Sequence, residues 1–285
     1  MALLSIVFGV IGYLLRLHEV ATVFDPISGL AARGMPVSLA LIGLSVFVIA
    51  CLFVMSLAMR RARDVSFAEA FGKRPFGQAM LIFLGLAVTA FSALEFLAAQ
   101  ELEVLELIRI VTGLTAGFFG LFLMAVLAAR GTAVIIPAVL PVFWLCLWLV
   151  LSHIDQASDP VLLGYAYQLF ALALLLLSFY FIAGYAFGQA RPGHLMFSTS
   201  SAIYFTIITL ADNWNAPQQR VLFILTITAL IYHLLLTTRL HSSDRAPKPA
   251  RTHSRRDEWQ DATYPEQDPE WDDGVWRPEG STPDA

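Results

Sequence analysis

The sequence predicts an all-α integral membrane protein, a bundle of about eight transmembrane helices with both termini cytoplasmic. Three observations lead there. The 285-residue chain is 58% hydrophobic and only 14% charged, with a mean hydropathy of +0.69, far from the composition of soluble globular domains. Its apolar residues fall in blocks long enough to cross a hydrocarbon core, which takes about 20 helical residues. These blocks, residues 172–187 among them, run on without alternation, whereas the strands of a spanning barrel alternate over about 10 residues.

Orientation rests on the stretch 60–74, RRARDVSFAEAFGKR, which interrupts the apolar text with five Lys and Arg. Counting alternate connections, this loop, Arg130, Arg191 and everything from Arg239 onward put 14 basic residues on one side, against Arg16, Arg33 and Arg220 on the other. Cytoplasmic loops carry the excess of Lys and Arg, so both ends are expected inside, in a membrane of the bacterial cytoplasmic type. The overall net charge of −4 is a property of the C-terminal segment: 11 of the 22 acidic residues lie after Leu240. The membrane part is nearly neutral and offers no nucleic-acid surface.

The elements follow in order, with the bundle occupying residues 1–240. No Lys or Arg precedes the first apolar run, so residues 2–17 read as a retained span and not as a cleaved signal; cleavage would leave seven spans and an outside N-terminus. Residues 16–36 then read as a loop, with Asp25-Pro26 and Ser28-Gly29 as turn chemistry, packed onto the bundle by its apolar side chains. Further spans are expected at 37–59, 76–99, 104–129, 132–152, 161–187, 195–211 and 221–238. The seventh is the least apolar because Ser198, Thr199, Ser200 and Ser201 dilute it; were it not to cross, the basic segment after Arg239 would lie outside, against the positive-inside bias. Cys51 and Cys146 sit at depths about 12 Å apart by helix rise, too far for a disulfide.

Residues 241–285 hold six of the 14 prolines and almost no aliphatic side chains. Such a segment cannot bury enough surface to fold alone, and a disordered cytoplasmic tail, basic then acidic, is expected. Residues 239–256 are placed to lie on anionic lipid. Beyond them, Trp259, Tyr264, Trp271 and Trp276 stand among acids and prolines. Aromatic residues are preferred anchors at interfaces, so residues 257–285 read as a docking peptide for a cytoplasmic protein, or else as a tail whose tryptophans fold back or do little.

Inside the bundle, Glu95 and Arg109 fall at similar depth on either side of the outer turn between the third and fourth spans. An interhelical ion pair is expected, with Glu106 competing, unless Arg109 and Glu106 simply reach the headgroups. Gly113, Gly117 and Gly120, and Gly184 with Gly188, carry small-residue spacing that lets backbones approach. Pro137 and Pro141 predict a bend in the fifth span. Together with Ser200, Ser201, Tyr204, Thr228 and His233 they outline a candidate polar cavity between the fifth, seventh and eighth spans; the alternative is that the hydroxyls bond to their own helices.

No catalytic, cofactor or metal-ligand signature is present: no phosphate-binding loop, no G-x-S-x-G, no H-E-x-x-H, no CxxC. The chain therefore reads as a non-enzymatic sensor or assembly partner that recruits a cytoplasmic protein through its tail. A permease or channel-like protein for a small or lipid-like molecule is the alternative, and a membrane-embedded enzyme a third.

Overall fold

A computed structural model describes residues 1–22, 36–58, 66–72, 74–98, 104–156, 162–212 and 216–245. The described residues form helices joined by short turns, without a strand. The helices are α1 (Ala2–Thr22), α2 (Pro36–Ala58), α3 (Phe67–Phe71), α4 (Pro75–Ala98), α5 (Val104–Thr115), α6 (Leu123–Val126), α7 (Ile135–Gln156), α8 (Leu162–Ala186), α9 (Pro192–Thr209) and α10 (Ala216–Arg245). A π-helical stretch, Ala116–Phe122, joins α5 to α6, and a 3-10 turn, Gly131–Val134, leads into α7. Met1–Asp244 form one compact unit and Arg245–Ala285 another. Of the second only Arg245 is described, so Trp259, Tyr264, Trp271 and Trp276 lie outside the described residues.

Among the described residues seven stretches are long and apolar enough to cross a membrane: Ala2–Thr22, Pro36–Ala58, Pro75–Ala98, Val104–Val126, Thr132–Ile154, Tyr165–Ala186 and Gln218–Leu240. This is a membrane-type helical bundle. Its first helix turns a small and polar face inward. On α1 the buried positions are Ser5, Gly9, Gly12, Arg16 and Glu19, a spacing of three and four that keeps one stripe of the helix against its neighbours. The large apolar side chains Leu3, Val7, Val10 and Leu14 are exposed on the opposite side. In water that arrangement would be inverted; in lipid, apolar side chains gain nothing by facing inward, and small residues let backbones meet.

The centre of the bundle is α9, flanked by α1, α2 and α8. Fifteen of its residues are buried, among them Ser198, Thr199, Ser200, Ser201, Tyr204, Thr206 and Thr209. Its hydroxyl content explains its low hydropathy, and its enclosure explains why that is tolerated: the other helices cover it. Ser198 and Thr199 donate to the carbonyl of Leu195, and Thr209 to that of Thr206. Hydroxyl–hydroxyl bonds reach neighbours from Tyr204 Oη to Ser45 Oγ on α2 and from Thr206 Oγ1 to Thr226 Oγ1 on α10, both 3.0 Å. Proline at the first helical position starts the helix where its missing amide is not needed.

Several sequence expectations are revised. The first helix does not stop at residue 17; it continues to Thr22, so Arg16 and Glu19 belong to a helix and not to a loop. The cause is tertiary: both side chains find buried partners, described below. The basic 60–74 stretch contains a helix, α3, begun by a reciprocal capping box in which Ser66 and Glu69 each bond the other's backbone amide. Phe71 of α3 is buried edge-on against Tyr185 of α8 and Tyr232 of α10, with ring centroids 5.4 and 5.0 Å apart.

Gly188 is a chain-reversing residue and not part of a packing face. Its φ is +72°, and Gln189 N–H bonds to the Gly184 carbonyl while Gly188 N–H bonds to that of Tyr185, the paired bonds that close a helix C-terminus around a left-handed residue. Pro137 falls in the first turn of α7, so only Pro141 interrupts the helix interior. Gly117 and Gly85 do bring α4 and the π-helical stretch together: a Cβ on Gly117 would lie 2.9 Å from the Thr89 amide nitrogen, and one on Gly85 2.7 Å from that of Phe122. Cys51 and Cys146 are free thiols.

Candidate functional site

The charged side chains that the bundle buries lie at one end of it, where α1, α4 and α9 finish and α5, α8 and α10 begin. The main cluster is built on Arg16. Its Nη1 donates to Glu19 Oε2, one turn along α1, and its Nε donates to Asp212 Oδ1, just past the end of α9, both at 2.7 Å. Arg16 is 1% exposed and Glu19 0%, so this network is taken from both water and lipid. The guanidinium carbon lies 5.1 Å from the centroid of the Tyr167 ring on α8, a cation–π distance. Gln219 of α10 donates from Nε2 to the Asp212 carbonyl at 2.6 Å, fixing the short connection that carries Asp212. Four helices thus meet around one cation.

Local sequence explains the assembly. Gly9 and Gly12 precede Arg16 on the same stripe, and Ile207 and Ile208 of α9 lie where their Cβ atoms would be, 3.0 and 2.9 Å away. Without side chains at those positions α1 can lie close enough to α9 for Arg16 to reach Asp212. The electrostatics are unbalanced, however. Among the described residues one guanidinium serves two carboxylates, and Glu19 Oε1 and Asp212 Oδ2 are buried with no hydrogen-bond partner. Burial pushes the Asp212 carboxyl above the ordinary aspartate range, opposed by the charge and hydrogen bond of Arg16 and reinforced by the charge of Glu19.

A second cluster lies at the same end. Arg109 Nη1 is 3.5 Å from Glu95 Oε2, with the two side chains 9% and 13% exposed, and Arg109 Nη2 is 3.9 Å from the more exposed Glu106. Arg220, at the start of α10, is close enough to act on the Glu95 carboxylate, so Gln219 and Arg220 connect the two clusters through adjacent residues. Below the Glu95–Arg109 pair, Trp144 of α7 packs at Gly113 and stacks on Trp148, ring centroids 5.6 Å apart. Both indole N–H groups are buried without a partner.

Of the seven residues of the expected cavity, Tyr204, Pro141 and Thr228 have described contacts. Tyr204 faces Ser45 of α2 and Gly12 of α1. Pro141 lies against Gly120 of the π-helical stretch. Thr228 bonds to the Ile224 carbonyl of its own helix. Pro137 is buried at the start of α7. Ser200 Oγ, Ser201 Oγ and His233 Nδ1 are buried with no hydrogen-bond partner. Among the described residues no three His, Cys, Asp or Glu side chains are grouped to hold a metal.

The Arg16 cluster is absent from the sequence reading because Arg16 and Glu19 look like the polar end of a short span. The signal that finds it is the inward stripe, where Ser5, Gly9 and Gly12 lead at three- and four-residue steps to Arg16 and Glu19. Fold and site together define a multi-pass helical membrane protein with a buried ionic cluster at one end of its bundle. No family model, no curated protein and no solved structure matches the chain.

Proposed function

We propose that this is an eight-span membrane protein, both termini cytoplasmic, that acts as a non-enzymatic sensor or assembly partner and recruits a cytoplasmic protein through residues 257–285. The observation that carries the reading is how α9 is held. Its polar groups are used in fixing helices to one another, through Ser45–Tyr204, Thr206–Thr226 and Arg16–Asp212, and Gly9 and Gly12 press α1 onto it. A central helix locked at its middle and at its end suits a bundle that holds or reports a state better than one that passes a solute along that helix. The eighth crossing is α9 itself, shielded from lipid by its neighbours.

The tail supplies the recruiting part of the proposal: its tryptophans and acids are chemistry for a protein surface. Residues 239–256 would lie on anionic lipid beside the last span. The alternative, a permease or channel-like protein for a small or lipid-like molecule, is favoured by the unpartnered hydroxyls of Ser200 and Ser201.

Purification from native membranes in mild detergent, comparing the full chain with one ending at Arg256, tests the choice. A stoichiometric protein partner lost on truncation is the expected result. Retention of one small molecule by both forms, with no protein partner, would replace the reading by the alternative.

A further inference from the structure

We propose that Glu19 and Asp212 hold one small monovalent cation, of the alkali-metal type, at the end of the bundle where α1, α8 and α9 meet. The inference goes beyond the tail's role and does not depend on it.

Among the described residues the cluster contains one guanidinium, which stays charged at any accessible pH, and two carboxylates. Arg16 and Glu19 are 1% and 0% exposed, and the Asp212 side chain is 10% exposed. Leaving a net negative charge in such a place is costly, because neither water nor lipid dipoles compensate it. A single further positive charge brings the cluster to neutrality; a divalent ion would overshoot and leave it positive.

Each carboxylate spends one oxygen on Arg16 at 2.7 Å. The other oxygen of each, Glu19 Oε1 and Asp212 Oδ2, is buried and accepts no hydrogen bond. Hard anionic oxygens suit hard cations. The neighbours described around them add no compensating charge: Tyr167 lies under the guanidinium, and the Gln219 amide is committed to the carbonyls of Thr209 and Asp212. A proton competes for the same place, since burial raises the Asp212 carboxyl.

The test uses the full chain in lipid nanodiscs and radioactive 22Na+ as the probe. Saturable binding approaching one ion per chain is expected, displaced by unlabelled Na+, Li+ or K+ and not by choline. Glu19→Gln and Asp212→Asn should each weaken it by at least roughly tenfold, while Glu69→Gln on α3 leaves it unchanged. Absence of saturable binding, or binding that survives both substitutions, overturns the proposal. Should the variants fail to fold, the unsubstituted protein decides: its unfolding temperature rises when Na+ replaces choline at constant ionic strength. If no alkali cation raises it and only acid does, the balancing charge is a proton and the cation site does not exist.

Discussion

Arg16 and Asp212 are 196 residues apart in the chain and 2.7 Å apart in the fold, joining the end of the first helix to the end of the central one. Because the contact is buried, its two sides respond differently to substitution. Removing one partner of a buried ion pair strands the other and costs about 3–5 kcal/mol, whereas replacing all members by neutral groups of similar volume is often tolerated. Arg16→Met should therefore sharply lower unfolding stability in detergent. The combined Arg16→Met, Glu19→Gln, Asp212→Asn variant should recover much of the loss.

Asp212 also sets a pH dependence. Its carboxyl is raised above the ordinary 3.8, so its protonated form is favoured in the folded protein. The stability it contributes is complete below the ordinary value and declines as pH rises through the folded one. Unfolding temperature in choline buffer should fall with rising pH over that window, and Asp212→Asn should flatten the curve there. An unchanged slope in the variant would locate the titration elsewhere.

The Glu95–Arg109 contact at 3.5 Å predicts a measurable coupling between α4 and α5. A double-substitution cycle of Glu95→Gln and Arg109→Gln should return roughly 1 kcal/mol, within the range of interhelical polar contacts in membranes. A coupling near zero would mean that Arg109 reaches the headgroups independently of Glu95.

Glycine replacements separate packing from conformation. A methyl group on Gly85 would meet the Phe122 backbone at 2.7 Å, while one on Gly43 of α2 meets nothing within 4 Å. Gly85→Ala should cost about 1–3 kcal/mol through overpacking against a backbone that cannot step aside. Gly43→Ala should be neutral or stabilising, by up to about 1 kcal/mol, measured by the same unfolding assay.

These contrasts show what the sequence made legible. The helical membrane class follows from the apolar blocks, because lipid permits little else to a chain of that composition. The Glu95 and Arg109 neighbourhood is visible because both residues flank one short turn, so depth can be counted along two adjacent helices. The Arg16 site is hidden for the opposite reason. Arg16 and Asp212 belong to helices far apart in the chain, and a charge near the end of an apolar run looks like a boundary until its partner is known. Hydropathy alone also says little about α9: Ser198 to Ser201 make it less apolar, and what encloses them is burial among other helices. Gly188 shows the limit of spacing as a guide, since its backbone φ, not its distance from Gly184, determines its role.

The central claim is that α9 crosses the membrane as the eighth and enclosed span. It is tested most directly by labelling single cysteines, after Cys51 and Cys146 are replaced by serine, with a membrane-impermeant thiol reagent in intact cells and in inverted vesicles. Cysteine at Gln189, before α9, should react only in inverted vesicles, and cysteine at Gln218, after it, only in intact cells. Reaction of both positions from the same side would show that α9 does not cross, and would remove with it the shared cytoplasmic location of the two termini.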